Sequence, residues 1–231
     1  MYTCFFRAAL AIWLALGAAA QADSPVVVEL YTSQGCSACP PADKMLHDLA
    51  QREDVIALAL HVDYWDYIGW KDEFADPAHG ERQRAYAQRA GRRSIFTPQM
   101  IIGGVDSVVG PRAMQVADAI SQHKSAPAPV NLTLTRSQGT LSIAAPAADK
   151  PGPYTVQLVR YTPQRQAKIT RGENAGHTLS YANVAEGWTI LTEWSGEAPL
   201  SLDIPLSGDA PVVVLAQHGT DGPIAGAAQL K

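Results

Sequence analysis

The stretch VVVELYTSQGCSACPPAD, residues 26–43, determines the fold that we expect for this chain. Val26 to Tyr31 is a nearly continuous apolar and β-branched run, which is typical of a strand buried in the middle of a sheet. After Pro41, which a first helical turn tolerates, apolar residues recur at helical spacing: Ala42, Met45, Leu46 and Leu49. The stretch therefore predicts a strand and a helix, with Cys36 and Cys39 at their junction.

The elements that follow indicate an α/β domain over residues 23–124. Val55 to Val62 reads as a second buried strand, so strand, helix and strand form a parallel crossover unit. Residues 64–93 read as an insertion, aromatic at first and then an Arg-rich helix over Glu81–Arg93. The pattern then predicts a strand over Gln99–Ile102, a strand over Ser107–Val109 and a helix over Pro111–His123.

Residues 130–231 have a different character, and residues 125–129, with two prolines, read as a linker. Short alternating runs separated by Gly, Pro, Asn and Asp predict a second, all-β domain resembling a sandwich. The eight predicted strands are Val130–Thr135, Leu141–Ala145, Tyr154–Tyr161, His177–Asn183, Thr189–Trp194, Leu200–Leu206, Val212–Gln217 and Ile224–Leu230.

The N-terminus has the layout of a secretory signal peptide. Arg7 precedes an apolar run from Ala8 to Ala20, and small residues lead to a cleavage site near Ala22. The alternative is a membrane anchor, but the run is too short to span a bilayer. We therefore expect residues 1–22 to be removed, leaving a periplasmic or secreted protein without a membrane span.

Composition narrows the classes of partner. The chain has 231 residues, of which 47% are hydrophobic, and 18 basic residues against 22 acidic ones. Such a chain can fold, and it has no global positive field to attract phosphate, so we expect no nucleic-acid partner. No coiled-coil pattern or long apolar helix follows the signal peptide, and we expect a monomer.

Two cysteines remain after signal cleavage, because Cys4 lies in the removed segment. In an oxidising compartment, Cys36 and Cys39 either form a disulfide with each other or react with the sulfur of a partner. At a helix N-terminus, Cys36 should have a lowered pKa and be the attacking thiolate, and Cys39 should resolve the mixed disulfide. Three alternatives stay open: a purely structural disulfide, a zinc half-site, or a copper site that also uses His61.

The order of elements, with Cys-x-x-Cys and then Thr97-Pro98 before a short strand, resembles the thioredoxin fold over Val26 to His123. More narrowly, several segments resemble an uncharacterised family of secreted bacterial proteins, a domain of unknown function with a thioredoxin-like fold. The segments are Tyr31–Asp43, His61–Asp66, Gly69–Trp70, Glu81–Gln83 and Thr97–Met100. This resemblance extends through the all-β region and implies no established substrate.

The thioredoxin resemblance implies roles for particular residues. Cys36 would be the nucleophile, Cys39 the resolving thiol, and Pro98 a cis-proline that docks the substrate backbone, with Thr97 beside it. The resemblance thus favours redox exchange for the cysteine pair over the three alternatives.

Other residues have weaker signals. Asp63, Trp65 and Trp70 follow the second strand, at the edge where α/β sheets bind ligands, and could line a substrate groove; the alternative is that these aromatics only cover the sheet edge. Asp43 reads as a solvated residue of the first helical turn. The arginines of the insertion read as a solvated helical face, with a patch for an acidic partner as the alternative: Arg82, Arg84, Arg89, Arg92 and Arg93.

The sequence thus predicts an exported thiol–disulfide oxidoreductase that acts on protein thiols or disulfides through the Cys36–Cys39 pair, with no cofactor and no metal. The alternative is a non-catalytic binding protein or copper chaperone in which the thioredoxin-like frame carries a structural disulfide. The sequence assigns no role to the all-β region.

Overall fold

The structure is a computed structural model that describes residues 24–231. The predicted signal peptide, residues 1–22, lies outside the described residues. Within residues 24–231, no helix is both long enough and apolar enough to cross a membrane.

The first half of the described chain alternates strands and helices in the expected order. The elements are β1 (Val26–Thr32), α1 (Pro40–Ala50), β2 (Val55–His61), a 3₁₀ turn (Asp66–Ile68), α2 (Pro77–Arg89), β3 (Gln99–Ile102), β4 (Asp106–Val109) and α3 (Ala113–Lys124). Helix α2 begins before the predicted Glu81. The Asp76 carboxylate accepts a hydrogen bond from the Ala78 N–H at 2.9 Å, and Pro77 fits the first helical position.

The second half consists of strands. They are β5 (Thr133–Ser137), β6 (Thr140–Ala145), β7 (Tyr154–Lys168), β8 (Thr178–Trp194), β9 (Leu200–Pro205), β10 (Val212–His218) and β11 (Ile224–Leu230). Two predicted strands, 177–183 and 189–194, form the single strand β8. Residues 184–188 between them do not end the strand, because β8 keeps its pairing with β7 through irregularities near Gln157 and Tyr161.

The prediction of an α/β domain followed by a separate all-β sandwich needs correction. Eight strands form one sheet in the order β11-β10-β7-β8-β2-β1-β3-β4, and only β5, β6 and β9 form a second sheet. The described chain is thus a mixed α/β structure dominated by one large sheet. The predicted boundaries at 124 and 130 stay a prediction, but four strands of the second region continue the sheet of the first.

The two regions join where β8 lies parallel to β2. Ala59 of β2 pairs with Val184 of β8, and the Asn183 side-chain amide donates to the Ala57 carbonyl at 2.8 Å. Asn183 has a left-handed backbone, with φ of 48°, a conformation that Asn adopts more readily than most residues. This short contact determines where the β7–β8 hairpin lies relative to the cysteine pair.

The side chains of β1 point alternately to the two faces of the large sheet, so the strand contributes to a hydrophobic core on each face. Val28 and Leu30 pack with α1 and α3, whereas Val27 and Tyr31 pack with α2. A third cluster lies between the three-stranded sheet and strands β7, β10 and β11, so a sandwich-like packing does occur in this region.

A buried ion pair attaches helix α2 to β1. The Arg82 guanidinium donates to both carboxylate oxygens of Glu29, at 2.8 and 3.0 Å, and only 9% of the Arg82 side chain is exposed. Arg82 also donates to the Tyr86 hydroxyl at 2.7 Å and lies over the Trp188 ring, 4.1 Å from its centroid. The prediction that Arg82 belongs to a solvated face is therefore wrong. The Glu29 carboxylate offsets the cost of removing the Arg82 charge from water.

Removing one partner of this pair should destabilise the fold. Arg82→Met should lower the free energy of unfolding by about 3–5 kcal/mol, because it leaves the Glu29 carboxylate buried without a countercharge. Urea denaturation measures the effect. Arg84→Ala, at an exposed position of the same helix, is the control and should change stability by less than about 0.5 kcal/mol. If Glu29→Gln combined with Arg82→Met were as destabilised as Arg82→Met alone, the uncompensated charge would not be the cause.

Candidate functional site

The cysteine pair lies at the edge of the sheet where β1 and β2 end and β3 begins. Thr32 pairs with His61 in the parallel ladder, and Tyr31 pairs with Gln99 in the antiparallel one. The segments that follow β1 and β2 and the segment that precedes β3 therefore meet at this edge. The structure thus brings together the sequence neighbourhoods of Cys36, His61 and Pro98.

Cys36 and Cys39 form a disulfide with their Cα atoms 5.4 Å apart. The turn is closed by two backbone hydrogen bonds: the Cys36 N–H donates to Ser33 O at 3.1 Å, and the Cys39 N–H donates to Cys36 O at 3.2 Å. Helix α1 begins at Pro40, and Cys39 is its N-cap. Cys36 thus lies in the turn before the helix, and the first two helical positions are prolines, which have no N–H to offer a thiolate.

The Thr97–Pro98 peptide bond is cis, as the thioredoxin resemblance implies. The Trp65 indole N–H donates to the Thr97 hydroxyl at 2.7 Å, so two predicted binding residues are in direct contact. Trp65 also lies against the cysteine turn, because a Cβ at Gly35 would be 3.4 Å from the Trp65 Cβ and 3.3 Å from Ile68 Cδ1. This close approach favours glycine immediately before Cys36.

The other two predicted binding residues lie in different surroundings. The Trp70 indole N–H donates to the Gln34 side-chain oxygen at 2.8 Å, which places this ring beside the cysteine turn. The Asp63 carboxylate lies toward helix α2, 3.8 Å from where a Cβ on Gly80 would be. Trp70 therefore belongs to the wall around Cys36, whereas the geometry gives Asp63 no contact with the pair.

Asp43 is buried, so the prediction that it is solvated is wrong. Only 4% of the residue is exposed, and its carboxyl accepts a hydrogen bond from the Thr32 hydroxyl at 2.7 Å. Asp43 lies four residues after Cys39 on the same helical face, and helical side chains lean toward the N-terminus, which directs Asp43 toward Cys39. The spacing of four was visible in the sequence, but its burial depends on the sheet beneath α1.

Burial raises the pKa of Asp43 to about 7, although the nearby His61 and the Thr32 hydrogen bond oppose the rise. The nearby Asp72 raises it further. A carboxyl group in this range exchanges its proton near neutral pH. It can therefore act as a proton donor or acceptor, which a solvated Asp could not do efficiently.

A second buried group next to Asp43 is the pair of His61 and Asp72. The His61 Nδ1 and an Asp72 oxygen are 2.7 Å apart, and both side chains are fully buried. The same Asp72 oxygen accepts the Gln34 N–H at 2.8 Å, which links the pair to the cysteine turn. The Tyr181 ring from β8 lies edge-on to His61, with centroids 4.6 Å apart. Sequence reasoning assigned no role to Asp72 or Tyr181, and no local pattern marks them.

The loop between β7 and β8, residues 169–177, covers the cysteine turn. The Asn174 side-chain amide donates to the carbonyls of Gln34 and Cys36, at 2.9 and 3.0 Å. The Glu173 carboxylate accepts the Ser37 N–H at 3.2 Å. Cys36 is only 1% exposed and Cys39 is 0% exposed. The sequence did not predict that the β region covers the cysteines.

Buried His, Cys and Asp side chains lie around the disulfide within residues 24–231. No group of three or more His, Cys, Asp and Glu side chains there is arranged to hold a metal ion. The arrangement of Cys36, Cys39 and His61 therefore gives no support to the copper alternative.

Fold and site together define a mixed α/β protein with a CxxC-spaced disulfide at the edge of a large, mostly β sheet. A family model described as "Protein of unknown function (DUF1223)" matches residues 27–217, so the chain belongs to that family. No curated protein matches the chain.

Two solved structures are similar to this one. Protein AGR_C_4864 from Agrobacterium tumefaciens has 30% sequence identity and a TM-score of 0.79, over 91% of this chain and 96% of that one. HBP35 of Porphyromonas gingivalis has 16% identity and a TM-score of 0.59, over 90% of this chain and 75% of that one. The second likeness is one of fold alone.

Asp43 should make the stability of the protein depend on pH. Folding raises its pKa from 3.8 to about 7, so the folded state holds the proton more tightly and loses stability as pH rises between these values. Between pH 5 and pH 8 this contribution should cost on the order of 2 kcal/mol. Asp43→Asn should remove that loss.

Urea denaturation of wild type, Asp43→Asn and Asp48→Asn at both pH values tests this expectation. Asp48 lies on the same helix at an exposed position, so its variant should keep the wild-type pH dependence. Identical pH dependence in Asp43→Asn and wild type would show that Asp43 keeps an ordinary pKa.

Proposed function

We propose that this protein is an exported thiol–disulfide oxidoreductase, acting in the periplasm or outside the cell through the Cys36–Cys39 pair. The observation that carries the proposal is the position of the disulfide: it precedes a helix on which a buried carboxyl group with a raised pKa, Asp43, lies four residues after the second cysteine. Such a group can take the proton of Cys39, and exchange depends on this step because the thiolate is the attacking form.

The arrangement of strands supports a thioredoxin-like fold for the first region. Strands β2, β1, β3 and β4 are neighbours in this order, β1 and β2 are parallel, and β3 is antiparallel to both β1 and β4. The cysteine pair follows β1, and the cis Thr97–Pro98 bond precedes β3. This is the arrangement that the family resemblance implies.

The proposed reaction begins with a partner thiolate that attacks the Cys36 sulfur. A mixed disulfide forms, the Cys36–Cys39 bond breaks, and Cys39 leaves as a thiolate that takes the proton of Asp43. A second thiolate of the partner then attacks its own sulfur in the mixed disulfide, so the partner becomes oxidised and Cys36 is released reduced. In the opposite direction Cys39 gives its proton to Asp43, attacks the mixed disulfide at Cys36 and releases the reduced partner.

Residues around the turn would hold the partner. Trp65 and Thr97 are hydrogen-bonded to each other beside Cys36, and Tyr67, stacked on Trp65, is 81% exposed. An exposed aromatic next to the cis-proline segment offers apolar surface to a polypeptide. Trp70 would keep the cysteine turn in place through Gln34.

One observation favours a second candidate, a binding protein with a static disulfide. Both cysteines are almost completely buried, at 1% and 0% exposure, and a buried disulfide is protected from thiols. The two candidates differ in the free energy of reduction of the pair, which is a measurable quantity.

The reduction potential of the Cys36–Cys39 pair distinguishes the two candidates. We expect a value between roughly −120 and −270 mV, the range of exchange proteins, when the mature protein is equilibrated with glutathione buffers and its free thiols are alkylated and counted. A value below about −300 mV would instead indicate a structural disulfide. Asp43→Asn should leave the potential less dependent on pH around 7, because its side chain no longer exchanges a proton.

Trapping identifies partners directly. Cys39→Ser should accumulate mixed disulfides with periplasmic proteins through Cys36, because the thiol that resolves them is missing. Cys36→Ser is the matched control, since it removes the proposed attacking thiol and leaves only Cys39, the N-cap of helix α1, which should capture far less. If both variants captured equal amounts, or neither captured any, the assignment of Cys36 as the attacking thiol would fail.

A further inference from the structure

The β7–β8 loop, residues 169–177, makes contacts with the cysteine turn that the proposed reaction does not use. The Asn174 amide donates to the carbonyls of Gln34 and Cys36, and the Glu173 carboxylate accepts the Ser37 N–H. Asn174 is 6% exposed, so its side chain fills space directly against the turn. Hydrogen bonds from Ser37 lower the pKa of Glu173.

These side-chain groups match the polar groups of a polypeptide backbone. A carboxamide N–H donates as a peptide N–H does, and a carboxylate oxygen accepts as a peptide carbonyl does. The loop thus gives the buried Gln34 carbonyl a donor, adds a second donor to the Cys36 carbonyl beside the Cys39 N–H, and accepts the exposed Ser37 N–H. An extended polypeptide could satisfy the same three groups from its own backbone.

We propose that the tip of the β7–β8 loop is an internal substitute for substrate, and that the substrate of this site is an extended, unfolded polypeptide segment carrying a cysteine. The segment displaces Glu173 and Asn174 and takes over their hydrogen bonds to residues 34–37. This inference rests on the proposed thiol–disulfide exchange and adds its substrate class.

The construction of the loop allows the tip to move while its base stays fixed. The Ile169 N–H donates to His177 O, and the Gly176 N–H donates to Ile169 O, both at 2.9 Å. Ile169 is 1% exposed and packs in the core with α1 and β1. Residues 170–175 are held against the turn mainly by Asn174 and Glu173, and by Gly172, which approaches Trp70 closely. Displacing the tip therefore breaks few contacts.

The displacement explains how a buried disulfide can react. A folded partner cannot reach the Cys36 sulfur at 1% exposure, whereas a flexible segment can replace the tip step by step. The hydrogen bonds that are broken on the loop side are formed again on the substrate side, so the net cost of opening is small. A small thiol cannot replace these hydrogen bonds, so it reaches the disulfide only when the loop tip opens spontaneously.

The rate of reduction of the native disulfide tests the role of the tip. Wild type, Asn174→Ala, Glu173→Gln and Thr170→Ala are reduced with 2-mercaptoethanol, and thiols are counted by alkylation over time. Asn174→Ala should be reduced about tenfold faster, because two hydrogen bonds of the closed tip are lost. Thr170→Ala, at an exposed position of the same loop, should match wild type.

Glu173→Gln separates contact from charge, because the Gln side chain still has an oxygen that accepts the Ser37 N–H. The rate at which Glu173→Gln is reduced should remain within about threefold of the wild-type rate. If Glu173→Gln were strongly accelerated and Asn174→Ala were unchanged, repulsion of the incoming thiolate would control access, and the proposal would be overturned.

A second experiment tests the replacement itself and leaves the loop sequence intact. Cys39→Ser is treated with a short unstructured peptide whose single cysteine is a 2-thiopyridyl disulfide. The Cys36 thiolate attacks the peptide sulfur, the new disulfide forms, and pyridine-2-thione leaves. The control adduct is made in the same way from the 2-thiopyridyl disulfide of 2-mercaptoethanol.

Amide hydrogen exchange of residues 169–177 is then compared between the two adducts. The peptide adduct should lose protection in this segment by about tenfold or more, whereas the mercaptoethanol adduct should keep it. Equal protection in both adducts, or equal loss, would overturn the proposal. A potential below about −300 mV without any trapped partner would end the proposed function. The reduction rates of wild type and Asn174→Ala would then still show whether Asn174 limits access to the disulfide.

Discussion

The short parallel contact between β2 and β8 is the constraint on which the rest of the structure depends. One residue pair, Ala59 and Val184, and the Asn183 hydrogen bond to Ala57 O join the two halves of the sheet. The contact places the β7–β8 hairpin beside β2 in the same sheet. Tyr181 therefore packs against His61, and the loop 169–177 reaches the cysteine turn. Residues far apart in the chain thus complete a single site.

Two buried carboxyl groups near β1, those of Glu29 and Asp43, have different roles because their surroundings differ. Glu29 faces Arg82, which forms two hydrogen bonds to it, so this charge is compensated and serves the fold. Asp43, on the opposite face, receives one hydrogen bond from Thr32 and no bond from a cation. Burial consequently raises its pKa to about 7, and the group becomes useful for moving protons.

Sequence patterns predicted the elements around the cysteine pair well, because each pattern is local. The apolar run of β1 and the helical spacing after Pro41 lie within a few residues, and the structure has both elements within a residue or two of their predicted ends. Two predictions of solvent exposure were wrong, because residues that are distant in the chain determine the burial. Arg82 and Asp43 both read as solvated, and only the packing of α2 and α1 on the sheet buries them.

The sequence by itself determined the strand and the helix, and it placed Cys36 and Cys39 at their junction with a spacing that permits a disulfide. The cis Thr97–Pro98 bond was implied by family resemblance. Only the tertiary structure decided that the β region continues the same sheet and that Asn174 covers Cys36. Strand pairing between distant segments leaves no periodic trace in either strand, and a side-chain contact with a backbone carbonyl requires no particular local sequence.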